Sequence, residues 1–332
     1  MNRQGQTRFV YGPVPSRRLG QSLGVDPIPF KTCNYNCVYC QLGRTRRLTH
    51  ERRDFFPREA ILAQIRDALE AHRPGEIHYV TFVGQGEPTL CASLGWLIRQ
   101  VKVVTEVPVA VLTNGALLSQ TDVREELAAA DVVIPTLDAA DQPTFRRINR
   151  PWPQFRIAEI VEGMAQFREM FQGQLWIEVM LVQGLNDAEE VLLLLRDALR
   201  RIRPDRVQIN LPVRPPAEPW VRIPEEEAIL RAVAILGETA EVMAPYEEGE
   251  FDLSGAESLM EAVLSIIRRH PMRESHLLEA LSRYAPQEVQ ATLAALEESG
   301  QAVRREYRGQ AFWQYAEAVS HGKDVRGDSH GG

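Results

Sequence analysis

Three of the four cysteines in this 332-residue chain fall within eight residues, in Cys33-Asn-Tyr-Asn-Cys37-Val-Tyr-Cys40, a C-x3-C-x2-C spacing. Three thiolates so spaced can hold three irons of a [4Fe-4S] cluster and leave the fourth iron open to a small molecule. A zinc knuckle is the other use of such thiols. It wants four ligands, and the nearest extra candidates are His50 and the distant Cys91. A disulfide scaffold would spread more cysteines along a shorter chain. Cys91 itself, at a helix start, reads as a small buried hydrophobe.

Other polar groups end or interrupt apolar runs. Gly84-Gln85-Gly86-Glu87-Pro88 follows the run 77–83, where glycines allow close backbone approach and Glu87 can accept from a cation. Taken alone, such a Gly-Pro cluster also reads as a turn. Thr113-Asn114-Gly115 ends the next run, and Thr136 and Asp138 follow the one after. Asn-Gly is equally a turn pair, and Asp138 equally a helix cap. Glu178 and Gln183 stand on or after one later run, Gln208 and Asn210 on another, where a buried polar group must find a partner. Ser16, Arg17 and Arg18 lie in a proline-fixed loop whose two guanidinium groups suit a phosphate, a carboxylate or a core-edge salt bridge. No residue declares itself as a catalytic acid or base.

The elements that must position these groups alternate. Helical spacing marks 60–70, 93–104, 120–129, 155–171 and 188–201; strand-like runs mark 21–26, 77–83, 107–112, 132–135, 175–182 and 206–211. Strands alternating with helices of ten or more residues imply parallel βα units. About six are present, so the expected fold is α/β, a partial (β/α)6 TIM-like barrel with its site at the carboxyl ends of the strands. A proline-rich stretch, 214–220, precedes a helix at 224–237. Helices near 258–269, 274–284 and 287–298, then strand-like 302–307 and 311–315, predict a C-terminal winged-helix module. The expected division is 1–240 for the barrel with its N-terminal cysteine loop, 241–255 for a linker, 256–317 for the winged-helix-like domain and 318–332 for a disordered tail.

An apolar fraction of 44% suits a globular core, and no run of 18 apolar residues or signal-peptide h-region occurs, so a cytoplasmic protein without a membrane span is expected. The net charge of −7 is uneven: residues 1–58 carry eleven Lys and Arg against three Asp and Glu. A basic segment around the cysteines suits an anionic ligand such as a carboxylate, a phosphate or RNA; it also reads as a solvated arginine-rich face.

With Tyr39 just before its last cysteine, the triplet resembles the signature of the radical S-adenosylmethionine (SAM) superfamily. The Gly84–Glu87 turn resembles that superfamily's GGE motif. The resemblance implies one [4Fe-4S] cluster on Cys33, Cys37 and Cys40, its open iron chelating SAM. It implies reductive cleavage of SAM to methionine and a 5′-deoxyadenosyl radical, with the electron from a reductant such as flavodoxin or ferredoxin. It places Tyr39, Gly84, Gly86, Glu87, Asn114, Thr136, Asp138 and Glu178 around the cofactors, Glu87 accepting from the SAM amino group and Thr136 or Asp138 from the ribose. Residues 9–26 running into Cys33 are similar to a subgroup related to the wybutosine-forming enzyme of tRNA, which implies that Ser16, Arg17 and Arg18 sit at the rim. Those enzymes bind a second cluster on three further cysteines. Only Cys91 remains here, so one cluster is expected.

Three functions follow as expectations. The first is a radical SAM oxidoreductase or transferase acting on RNA or a nucleoside. The second is a peptide or protein maturase, and the third a non-enzymatic metal-binding nucleic-acid regulator. The C-terminal hairpin, with Arg304, Arg305 and Arg308 beside Tyr307 and Trp313, is expected to contact RNA or a peptide, whereas the acidic helix before it, with Glu288, Glu297 and Glu298, would repel phosphate.

Overall fold

The computed structural model describes residues 7–244 and 258–318. The chain divides into two units. One comprises Met1–Val38, Thr45–Val213 and Trp220–Asp252; the other comprises Tyr39–Arg44, Arg214–Pro219 and Leu253–Gly332. The expected linker 241–255 and tail 318–332 fall mostly outside the described residues.

The first unit is built on an eight-stranded sheet in linear order: β1 (Val10–Ser16), β2 (Gly20–Val25), β3 (Tyr79–Phe82), β4 (Val109–Thr113), β5 (Val132–Pro135), β6 (Gln174–Met180), β7 (Arg206–Asn210) and β8 (Ala240–Val242). β1 pairs antiparallel with β2, and every later neighbour is parallel. The connecting helices are α1 (Arg58–Glu70), α2 (Leu94–Val104), α3 (Thr121–Leu127), α4 (Gln142–Ile148), α5 (Ile157–Met170) and α6 (Glu189–Ile202); α7 (Glu226–Leu236) leads into β8. In α6, Leu192, Leu195, Leu199 and Ile202 recur at helical spacing and are buried. Glu189 and Glu190 open the helix and Arg200 and Arg201 close it, matching its dipole.

Sequential strand order with right-handed crossovers sends the helices to one side of the sheet. The other side carries a cluster drawn only from strands and the β1–β2 turn: Leu19, Ala110, Val132, Ile134 and Trp176, with Tyr79 and Leu112 against it. The registers Thr81↔Ala110, Ala110↔Val132, Trp176↔Arg206 and Glu178↔Gln208 keep these positions on one face, because parallel partners point the same way. This helix-free face matters below.

The mixed α/β, mainly parallel architecture agrees with the sequence expectation, but the sheet has eight strands, not six. β1 was unexpected because Gly12, Pro13 and Pro15 break its pattern, which an edge strand tolerates. β8 is only three residues long. Helix α4 was also missed; its signal is Asp141, whose carboxylate caps the amide of Thr144 at 2.9 Å, with a proline in the first turn.

The described part of the second unit contains α8 (Leu259–Ile267), β9 (Met272–Arg273), α9 (Glu274–Ala280), α10 (Pro286–Glu298), β10 (Ala302–Tyr307) and β11 (Gln310–Tyr315). β11 lies between β9 and β10, antiparallel to both. Trp313 was expected on the binding surface; instead it is buried and its indole N–H donates to Glu274 at 2.9 Å. Arg304 pairs with Glu274 and Glu306, so two of the expected contact residues serve the unit's own packing. Among the described residues no helix is long and apolar enough to cross a membrane.

Candidate functional site

The cysteine loop is tied down around its first two thiols. Thr32–Cys33 pairs with Arg47–Leu48, the amides of Asn36 and Val38 donate to the carbonyls of Asn149 and Ile148, and the Trp152 amide donates to Asn34. The Tyr35 ring fills the space beneath and packs edge-on against Phe145 at 5.3 Å. Burial pushes its phenol well above the usual value, and charge on Cys37, Glu87, Asp138 and Cys33 acts in the same direction. Cys33, Cys37 and Cys40 are half-buried and unoxidised, whereas Cys91 is buried. Cys33 and Cys37 belong to the first unit; Cys40, three residues further on, and Tyr39, also half-buried, belong to the Tyr39–Arg44 segment of the second.

Two carboxamides face the thiols. Asn114 Nδ2 lies 3.6 Å from Cys33 Sγ and also donates to Asn34 Oδ1. Asn149 Nδ2 lies 3.6 Å from Cys37 Sγ and donates to Asp138 Oδ2 at 2.6 Å. The Tyr35 amide adds a third N–H at 3.4 Å from Cys33 Sγ. Asn34 is wholly buried, yet its Nδ2 has no acceptor among the described residues. Asn34, Tyr35 and Asn149 escaped the sequence reading, since their roles need the loop docked on the end of α4.

The other expected residues divide. The Gly84–Glu87 turn lies over the cysteine loop: Lys31 N donates to Gln85 O at 2.8 Å and Glu87 N to Thr32 O at 3.1 Å. Gln85 is held by Asp26, its side chain donating at 2.8 Å. A Cβ on Gly86 would overlap the Thr32 carbonyl, so only glycine lets the two backbones meet. Thr136 is half-buried just beyond β5, next to Glu178 in a parallel bridge.

Glu87 is buried, and its carboxylate already has partners. Its Oε1 accepts from Thr89 N (3.0 Å), Thr89 Oγ1 (2.6 Å) and Thr113 Oγ1 (2.5 Å), and its Oε2 from Asn114 N (2.7 Å). Three donors converge on Oε1 and one on Oε2, so Glu87 locks the turn to the end of β4. Asp138 is also buried: Met180 N donates to its Oδ1 at 2.7 Å and Asn149 to its Oδ2, so it aims Asn149 at Cys37. Arg18 forms the core-edge salt bridge that was the other reading of its loop, its Nη2 donating to Glu178 Oε2 at 2.6 Å. Gln183 is exposed and turned to Glu225.

Burial raises the Glu87 carboxyl above its usual 4.5, opposed by the Thr113 and Thr89 hydroxyls and the Asn114 and Thr89 amides. A carboxyl raised on folding contributes stability below its unfolded value and loses it as pH rises through the folded value. Glu87→Gln removes that titration and sets an amide NH2 among donors, for a loss of about 1–3 kcal/mol. The expected result in melts between pH 4 and 7 is a less stable variant whose deficit narrows as pH rises; a deficit that widens would refute the assignment.

Of the extra ligands that zinc would need, Cys91 lies buried with its thiol 3.5 Å from Ser93 Oγ, and His50 stacks on Trp152 at 4.5 Å with its Nδ1 unpartnered among the described residues. Among the described residues no three His, Cys, Asp or Glu side chains stand close enough to hold a metal ion. The case for a cluster is therefore made by the donor set: three half-exposed thiols, N–H groups directed at two of them, and the orphaned Asn34 amide beside Cys33. Bridging sulfides and thiolates are the acceptors that such N–H groups lack, as hydrogen bonds to sulfur are a standard feature of iron–sulfur sites. The residues fit the group.

The chain is similar to several known proteins. The UPF0026 protein MJ1312 of Methanocaldococcus jannaschii is 36% identical over 280 residues, 83% of this chain and 86% of that one. A radical SAM methyltransferase from Sphaerobacter thermophilus aligns with a TM-score of 0.50 at 21% identity, covering 67% of this chain and 66% of that one, which bears on the fold. A structure of TYW1 with a lysine–pyruvate adduct bound aligns at 0.44 and 15% identity, over 89% of this chain and 80% of that one. Residues 28–196, from just before the first cysteine into α6, match the radical SAM superfamily, and on that match this chain belongs to it.

Proposed function

We propose that Cys33, Cys37 and Cys40 hold a single [4Fe-4S] cluster and that the chain is a SAM-cleaving enzyme whose substrate is RNA or a nucleoside. When bound, the cluster supplies the electron that splits SAM into methionine and a 5′-deoxyadenosyl radical, the hydrogen-abstracting species. The observation that carries the reading is the pair of carboxamides, Asn114 and Asn149, directed at Cys33 and Cys37 from the ends of β4 and α4.

The chain's own residues do the positioning. Gly84 and Gly86 bring backbone carbonyls close to the cysteine loop, suited to an amino group; Thr136 offers a hydroxyl for a ribose. Glu87 and Asp138 hold Asn114 and Asn149 in place. The second unit is read as a winged helix that grips the substrate through Arg308 and Tyr307, with Trp313 removed from that surface by its burial.

Anaerobic reconstitution with iron and sulfide, then SAM and dithionite, should give about four irons per chain and 5′-deoxyadenosine. Mass spectrometry of RNA and protein from cells with and without the gene separates the substrates: a lost RNA modification supports this reading, and a lost peptide modification transfers it to a maturase. A zinc-loaded chain that releases no 5′-deoxyadenosine would overturn it.

N–H groups on the sulfurs stabilise the reduced, more negative state. In Asn149→Leu the cluster is expected to assemble, with a more negative potential in an EPR-monitored redox titration and about 1–3 kcal/mol less stability, since Asp138 also loses a donor. An unchanged potential would sink the assigned contact.

A further inference from the structure

The helix-free face of the sheet is apolar at one end and polar at the other. Trp176 joins the apolar cluster, but Glu178 and Met180, two and four residues on, point the same way, as do Gln208 and Asn210, their register partners. Arg18, next to Leu19 of that cluster, donates to Glu178 Oε2, and Asn210 Nδ2 donates to Glu178 Oε1. The arginine and glutamate thus neutralise each other.

What remains is unbalanced. Gln208 and Asn210 are 1% and 0% exposed, yet Gln208 Oε1 and Asn210 Oδ1 accept nothing among the described residues, and buried Arg18 Nε donates to nothing. The donation to Glu178 fixes which end of the Asn210 amide is the oxygen, the end left without a donor. An unmatched buried carbonyl or N–H is costly, so three on one face mark a place that a ligand completes. Glu178, Met180 and Leu112 on this face are only half-buried, so it is not sealed by the protein.

We infer that Arg18, Glu178, Gln208 and Asn210 form a substrate-recognition site for a neutral group that presents N–H donors to Gln208 and Asn210 and an acceptor to Arg18. Two carbonyl oxygens and a carboxylate disfavour an anion there, despite the arginine. Resting on the nucleoside reading above, the group is a nucleobase with an exocyclic amine; the site lies toward the strand ends that carry Asn114 and Thr136.

The test is equilibrium binding of nucleosides to the SAM-loaded protein by calorimetry, with cytidine and adenosine as amino-bearing probes, uridine and inosine as their oxo counterparts, and acetate and inorganic phosphate as anions. The amino nucleosides should bind about five- to ten-fold more tightly than the oxo ones. Gln208→Leu should abolish that preference while its melting temperature holds or rises, because an unmatched buried oxygen is removed; Gln208→Glu, which keeps an acceptor, should retain it. Loss of preference together with a fall in melting temperature would make Gln208 structural and overturn the inference. So would equal binding of amino and oxo nucleosides, or displacement by acetate. If instead the RNA of gene-deleted cells lacks no modification, the nucleoside reading fails on its own measurement, independently of these affinities.

Discussion

Cys37→Ala, reconstituted anaerobically, is expected to hold less than a tenth of the wild-type iron and to release no measurable 5′-deoxyadenosine. Three thiolates are the fewest that can hold a four-iron cluster with one iron left open for a small ligand, so the loss of one leaves two irons without protein ligands. Each cysteine of the triplet should behave alike. Cys91→Ala is the control. Its thiol is buried, pushed away from the thiolate form by that burial, and 3.5 Å from Ser93 Oγ. Removing its sulfur should lower stability by about 1 kcal/mol and leave iron content unchanged. Full iron and SAM cleavage in Cys37→Ala would refute the assignment. A drop of similar size in Cys91→Ala would point to a four-thiol site and reopen the zinc alternative. Iron content and 5′-deoxyadenosine are read separately, so a variant that binds iron without cleaving SAM would not be mistaken for one that binds none.

The sequence was most informative where chemistry is local. C-x3-C-x2-C needs no tertiary structure to be read, and β5 was placed to the residue because Val132–Pro135 is a short apolar run between clear breaks. Elements whose local signal contradicts their structure were missed: β1 is an edge strand written with prolines, and α4 has seven residues with one of them proline. The site residues divide in the same way. Glu87 and Asp138 occur where cofactor-binding acids would be expected, but their contacts with Thr113, Asn114, Asn149 and the Met180 amide bring together distant parts of the chain, which spacing does not reveal. Arg18 and Glu178 are 160 positions apart in the chain, and only the alternation of β6 with the β1–β2 turn brings them together. Trp313 read as a stacking surface because a strand has two faces, and sequence alone did not say which one was covered.

Gly86→Ala is expected to have the second large effect, at the turn rather than the thiols. The added methyl would overlap the Thr32 carbonyl oxygen and press on Ile28, and both the turn and the cysteine loop are held at that point by backbone hydrogen bonds. A flexible side chain could move aside; a carbonyl fixed between Glu87 N and the chain leading to Cys33 cannot without shifting the first thiol. Overpacking of this kind costs about 1–3 kcal/mol, and the backbone contact puts it at the upper end, or roughly 6–12 °C in melting temperature for a domain of this size. Gly84→Ala is milder, since its methyl would stand 3.2 Å from an Asp26 side-chain oxygen and from the Gly86 backbone. The ordering distinguishes two accounts of the motif. If the glycines only form a turn, both variants should lose stability and keep SAM affinity in proportion. If they bring the turn's carbonyls to the cofactor, Gly86→Ala should lose SAM binding by more than about ten-fold while the iron content falls much less, and Gly84→Ala should show the same pattern at smaller size. Equal SAM affinity across wild type and both variants would remove the turn from the cofactor site altogether.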